Sequence, residues 1–240
     1  MNVNDKIRDI KMCSSKRNNT KTDTMTNDIS VKAKPLFSSR RYRVVKRILD
    51  LVFSALTIVA LAPLMLLICI LIRIDSKGPA VFIHYRIGKN GKPLPLYKFR
   101  SMYVGAEAMI ADFTPEQRAE WEQNFKLDHD PRITRMGNFL RRTSLDELPQ
   151  LFNILFGDLS FVGPRPVVTA ELELYGENKE KFLSVTPGLT GYWQAYARSS
   201  CTYEQRMEME LYYVDNANLL WDFKIIFATV GAVITGRGAK

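Results

Sequence analysis

Cysteine and histidine are scarce. The 240-residue chain has three cysteines, Cys13, Cys69 and Cys201, odd in number and far apart. That excludes a disulfide framework and a CxxC metal site, and it suits a reducing compartment. The two histidines, His84 and His129, leave little room for histidine-rich metal chemistry. No nucleotide P-loop, GxGxxG or internal repeat is present. Acidic residues are few at the start: residues 1–43 hold 11 Lys and Arg against 4 Asp and Glu, while the remaining 197 hold 23 and 21. The net charge of +9 therefore belongs mostly to a tail, which can sit on anionic lipid or on nucleic acid. Apolar types at 46% and charged types at 25% suit a globular body that buries a core.

Residues 1–40 are polar, without apolar periodicity, and read as disordered. Then comes Leu51–Ile72, 22 residues without a charge. At about 1.5 Å per residue, a helix of that length matches the roughly 30 Å hydrocarbon core of a bilayer. Pro63 interrupts it near the middle, either as a kink in a spanning helix or as a break that returns the chain to its starting side. Arg40, Arg41, Arg43, Lys46 and Arg47 precede the run, and Arg73 and Lys77 follow it. Positive flanks belong on the cytoplasmic side. A re-entrant hairpin satisfies both flanks, whereas a span satisfies one.

Beyond the run, residues 80–103 read as a hairpin around Asn90-Gly91. Residues 104–127 read as helical, with Thr114 as N-cap and Pro115 at the first helical position. Two short helical stretches fall within 135–156, a Gly/Pro-rich loop at 157–169, and further helices at 169–183, 203–216 and 219–235. The last suits either a helix at the lipid boundary or a core helix.

Four clusters could carry chemistry. Arg141-Arg142-Thr143-Ser144-Leu145-Asp146-Glu147 sets two carboxylates after two arginines. Ser144 and Glu147 fit a capping box, and Asp146 with Pro149 fits a helix start, so spacing alone favours capping. The chemical alternative is a carboxylate that attacks phosphorus, helped by cations that neutralise the phosphates. Pro164-Arg165-Pro166 fixes the backbone around a guanidinium, or is a plain turn. Lys98 and Arg100, two apart on a strand, make an anion-binding face or a solvated one. The Pro187–Gln194 stretch, followed by Arg198, could stack aromatics on a base, place them at a membrane interface, or pack them in the core.

KFRSM, RRTSLDELPQLFNILFGDLSFVGPRP and PGLTGYWQ, in that order behind an apolar segment, resemble the bacterial sugar transferase family. These are the monotopic phosphoglycosyl transferases that start glycan assembly on polyprenol phosphate. The resemblance covers residues 42–235. It implies a helix-rich α/β (α+β) catalytic domain at 79–240 resting on the membrane surface. A re-entrant helix-break-helix at 42–78, broken at Pro63, and a disordered tail at 1–41 would precede it. The reaction implied transfers a sugar 1-phosphate from a UDP-sugar to undecaprenyl phosphate, with release of UMP. It runs through a covalent intermediate and needs Mg²⁺. By match to the family's dyad, Asp146 is the nucleophile and Glu147 its partner, and both are metal ligands. Arg141 and Arg165, with Pro164 and Pro166, match phosphate-binding positions. Lys98, Arg100 and Arg198 match basic positions, and Asp222 a carboxylate in the last helix. The resemblance places the active site at the cytoplasmic face of the inner membrane, in exopolysaccharide, capsule or O-antigen assembly. Its partners are lipids rather than nucleic acid, and a homo-oligomer is left open. With only a polar tail ahead of the hairpin, the chain resembles the minimal catalytic form. It departs from the pattern at Ala62, where many members have Ser, at Glu210 (usually Asp) and at His84 (commonly Gln). A hydrolase sharing the dyad, and a non-enzymatic scaffold or nucleic-acid binder using the tail, are the competing readings.

Overall fold

A computed structural model describes residues 39–124, 127, 129–197 and 201–234. The expected tail falls almost wholly outside them. The first element, α1 (Arg40–Asp75), is a helix of 36 residues. Asp50, Ser54, Met65, Ile68 and Ile72 are buried along it, with Ile58 and Leu61 packed between them. These positions repeat every three or four residues, so they form one stripe against the body. The opposite side exposes Val44, Ile48, Phe53, Leu56, Val59, Leu66 and Ile70.

The expected helix-break-helix is not seen as two separate helices, because the assigned helix runs through Pro63. Proline deletes one bond, to the Val59 carbonyl, and crowds that carbonyl. Pro63 is exposed and Val59 is 75% exposed. The disturbance thus falls away from the packed stripe, which holds the helix on both sides of it. Both ends of α1 are tied to the same body. At the start, Tyr42 Oη and Lys46 Nζ donate to Asp222 at 2.8 and 2.7 Å. Arg47 donates to the Ile154 and Leu155 carbonyls at 2.6 and 2.8 Å. At the end, the Asp75 carboxylate accepts from Met136 N at 3.1 Å.

The hairpin forms as read. β1 (Val81–Ile87) pairs antiparallel with β2 (Pro93–Phe99) in the register Val81↔Phe99 to Ile87↔Pro93. Asn90 and Gly91 take positive φ (56° and 76°) in the connection, which these residue types tolerate. Within 104–127 only part is α-helical. Residues 108–112 form a 3₁₀ turn, and α2 (Pro115–Asn124) begins at Pro115. Thr114 and Gln117 exchange the two capping-box bonds, at 3.0 and 3.2 Å.

α3 (Arg135–Thr143) and α4 (Gln150–Phe156) are the two short helices expected. The 157–169 loop holds a strand that composition concealed, β3 (Ser160–Val162). α5 (Thr169–Glu173) and α6 (Lys179–Leu183) follow, separated near Gly176, whose φ is 52°. β4 (Gly188–Thr190) then pairs parallel with β3. The ladder is tight: a Cβ at Gly188 would lie 2.1 Å from Gly163 N, so the position needs glycine. α7 (Tyr192–Tyr196), α8 (Tyr203–Asn216) and α9 (Leu219–Ile234) complete the described chain.

The described residues form a helix-rich α+β body with two two-stranded sheets. One apolar cluster joins α1 to Phe99 and Leu140. A second joins β2 to α4 through Leu94, Leu96, Leu151 and Ile154. Together they lock the hairpin and the α3–α4 turn side by side, which is what positions the site.

Candidate active site

Ser144 ends α3 in the left-handed conformation (φ 57°, ψ 17°). The chain turns there, and Leu145–Glu147 make a single 3₁₀ turn facing the end of β2. The Ser144 side chain makes no cap bond at this turn. Glu147 does not reach back as a capping box requires. Its Oε1 instead accepts from Lys98 Nζ at 2.8 Å. Asp146 Oδ2 lies 4.0 Å from the same ammonium. The pair therefore faces a cation across the fold rather than closing a capping box.

A cleft opens beside this pair, lined by His84, Lys98, Glu147, Gln150, Arg165 and Pro166 among others. Cross-strand pairing explains the first two. Phe82, His84 and Arg86 stand opposite Lys98, Leu96 and Leu94, so all share one face of the hairpin. Arg165 arrives on the loop after β3. Its N–H donates to Glu210 Oε1 at 3.1 Å, and Tyr175 Oη donates to the other carboxylate oxygen. Glu210 is 1% exposed. Arg206 Nε lies 3.5 Å from it. Glu210 is thus a buried anchor for the Arg165 backbone, and burial raises its carboxyl above the ordinary range.

The two dyad carboxylates are pushed apart. Burial raises Asp146, opposed by Lys98 and reinforced by the neighbouring Glu147, with Arg141 also favouring its charged form. Burial also works against charge on Glu147, but Lys98 and Arg165 outweigh it and hold the group below the usual range. His84 is pushed down to about 4, first by burial and then by Arg86, Lys98 and Arg165, so it is neutral at pH 7. Such a split between adjacent acids is a mark of functional sites.

The structure brings Lys98, Asp146, Glu147, Arg165 and Pro166 together. Arg141 flanks them, its Nε donating to Ser101 Oγ at 2.9 Å. Pro164 supports the ladder, its carbonyl accepting from Gly188 N at 2.9 Å. Two expected site residues lie elsewhere. Arg100 is buried and donates to the Ser76 and Lys77 carbonyls at 2.7 Å each. It caps the end of α1, because β2 stops at Phe99 and Arg100 leaves the strand face that carries Lys98. Asp222 accepts from Tyr42, Lys46 and Tyr213, the last at 2.6 Å. It fastens α9 and α8 to α1, away from the cleft. Arg198 lies outside the described residues. His84, Arg86 and Gln150 were missed. The signal for the first two was available in the alternation of β1, whose apolar positions concealed a polar face at 84 and 86.

Among the described residues no group of three or more His, Cys, Asp or Glu gathers as a metal cage. Asp146 and Glu147 are a pair. Mg²⁺ is commonly held by one or two carboxylates, with waters and substrate phosphates completing its shell. The donor set fits such an ion, with Lys98 sharing Glu147.

The match to known proteins covers this whole arrangement: the bacterial sugar transferase family model spans residues 41–236. The chain belongs to that family. An undecaprenyl-phosphate galactose phosphotransferase of Salmonella typhimurium is 43% identical over 205 residues, 84% of this chain and 43% of that protein. A UDP-galactose-lipid carrier transferase of Erwinia amylovora is 42% identical over 200 residues, 82% of this chain and 42% of that protein. The exopolysaccharide production protein ExoY of Sinorhizobium fredii is 43% identical over 197 residues, 81% of this chain and 87% of that protein. The chain thus spans less than half the length of the first two relatives and most of the third.

Proposed function

We propose that this family member transfers a sugar 1-phosphate from a UDP-sugar to undecaprenyl phosphate, as the first membrane step of polysaccharide assembly. The observation that carries the reading is the 3₁₀ turn that sets Asp146 and Glu147 against Lys98, with Lys98, Glu147 and Arg165 lining one cleft beside it. In the first half-reaction an Asp146 carboxylate oxygen attacks the phosphorus bearing the sugar. The bond from that phosphorus to the bridging oxygen breaks, UMP leaves with the oxygen, and an acyl phosphate forms. In the second, an oxygen of the lipid phosphate attacks the same phosphorus. The acyl bond breaks, Asp146 returns as carboxylate, and a lipid diphosphate sugar results. Lys98 and Arg165 hold phosphate oxygens and offset their repulsion of the nucleophile. Glu210 holds the Arg165 backbone in place. Mg²⁺, bound by Asp146 and Glu147, would supply charge neutralisation on the phosphates.

The lipid side of the reading rests on α1. Its outer side is apolar, yet both of its ends bond to one body. A helix crossing a roughly 30 Å hydrocarbon layer would separate those ends. We therefore assign α1 to one leaflet, entering and leaving on the cytoplasmic side of the inner membrane, with Pro63 as the place where it bends. The test is UMP release from a panel of UDP-sugars, with and without undecaprenyl phosphate and Mg²⁺. Turnover that needs the lipid supports transfer. Turnover without it assigns hydrolysis.

A further inference from the structure

A second cavity shares no lining residue with the catalytic cleft. It has a volume of about 220 Å³, room for several waters. That volume accommodates a phosphate headgroup. The first turns of α1 form one wall and the hairpin connection reaches it through Lys89. Its charge is one-sided: Arg43, Lys46, Arg47 and Lys89 line it against Asp50. Two of the cations are committed. Lys46 pairs with Asp222 at 2.7 Å, and Arg47 donates to the Ile154 and Leu155 carbonyls. Among the described residues, Arg43 and Lys89 make no side-chain ion pair or hydrogen bond.

Position completes the argument. The turns of α1 that supply Arg43 also expose Val44, Val45, Ile48 and Leu51 to the outside. Cationic groups and an apolar ridge thus share one helix segment, the pattern of a protein surface at the boundary between lipid phosphates and acyl chains. We propose that this cavity is a phosphate-binding site separate from the active site, where Arg43 and Lys89 hold the phosphodiester of an anionic membrane lipid.

The test uses the full-length protein in neutral detergent and reads its thermal unfolding midpoint. The probes are short-chain phosphatidylglycerol, short-chain phosphatidylcholine and inorganic phosphate. Phosphatidylglycerol is expected to raise the midpoint in the wild type. The effect should survive in Arg165→Gln, which alters the catalytic cleft, and in Arg41→Gln, a charge control outside the cavity. Arg43→Gln/Lys89→Gln should bind that lipid about 25-fold more weakly, taking about fivefold per basic residue. If inorganic phosphate gives the same shift with the same dependence on the double variant, the site stands and its ligand is soluble phosphate. A shift equal in wild type and double variant, lost in Arg165→Gln instead, or matched by phosphatidylcholine in every variant, overturns the proposal.

Discussion

Lys98 is the residue whose removal tests the electrostatics of the site most closely. Its ammonium sits 4.0 Å from Asp146 and 2.8 Å from Glu147. At 4 Å a unit pair is worth about 1 kcal/mol in water and about 4 kcal/mol at an effective dielectric of 20. The side chains of Lys98 and Asp146 are 23% and 14% exposed, so solvent screens part of this and about 1–2 kcal/mol is the reasonable range. Lys98→Met therefore withdraws that much support from ionised Asp146 and from any phosphate bound beside it. The expected fall in kcat/KM at neutral pH is about 5- to 30-fold. The sign of the pH effect follows from the same contact. Lys98 favours charged Asp146 against the burial that raises it, so without Lys98 the acid limb of kcat/KM moves to higher pH. Lys98→Arg should keep most of the charge effect and lose part of the geometry. A steady-state pH profile of UMP release measures both. An unshifted acid limb in Lys98→Met, with kcat/KM within twofold of wild type, refutes the assignment of Lys98 to the dyad.

Other outcomes follow from buried groups. Asp146→Asn should be more stable than wild type at pH 7–8, by about 2–4 °C for each kcal/mol relieved. Burial raises Asp146, so its ionised form is a burden above its native pKa and absent once it is protonated. The gain should vanish near pH 4, and differential scanning fluorimetry across pH reads it. Asp222→Ala leaves the Tyr42, Tyr213 and Lys46 donors without their acceptor. A cost of about 3–5 kcal/mol should lower the unfolding midpoint by about 6–20 °C with the KM for the nucleotide sugar unchanged. A raised KM with an unmoved midpoint would return Asp222 to the site. Glu210→Asp shortens the anchor of the Arg165 N–H and should raise KM for the donor more than it lowers kcat, with Glu210→Gln restoring most of the affinity.

Much of this architecture was legible because local signals agreed with one another. Asn90-Gly91 announced a hairpin, Thr114-Pro115 a helix start, and the uncharged run a long apolar helix. What composition could not convey was long-range. Ser160–Val162 is a strand only because Gly163 and Gly188 let two backbones meet. For the dyad, the family resemblance implies chemistry, whereas spacing alone favours capping. Only the fold shows Glu147 turned toward Lys98, a residue 49 positions away. Arg100 and Asp222 matched family positions, yet their hydrogen bonds fasten the two ends of α1. Local sequence cannot distinguish a cation that holds substrate from one that holds carbonyls. Pro63 carried a signal for a break, and packing on both sides of it keeps one assigned helix.

The central claim is that Asp146 carries the phosphosugar. The direct measurement is a single-turnover experiment with a UDP-sugar and Mg²⁺ but no lipid, reading UMP release and the intact-protein mass together. A burst of UMP approaching one per active enzyme is expected, with a sugar-phosphate adduct that maps to Asp146 and disappears when undecaprenyl phosphate is added. UMP release that requires the lipid from the outset and leaves no adduct, or undiminished turnover by Asp146→Asn, contradicts the covalent route.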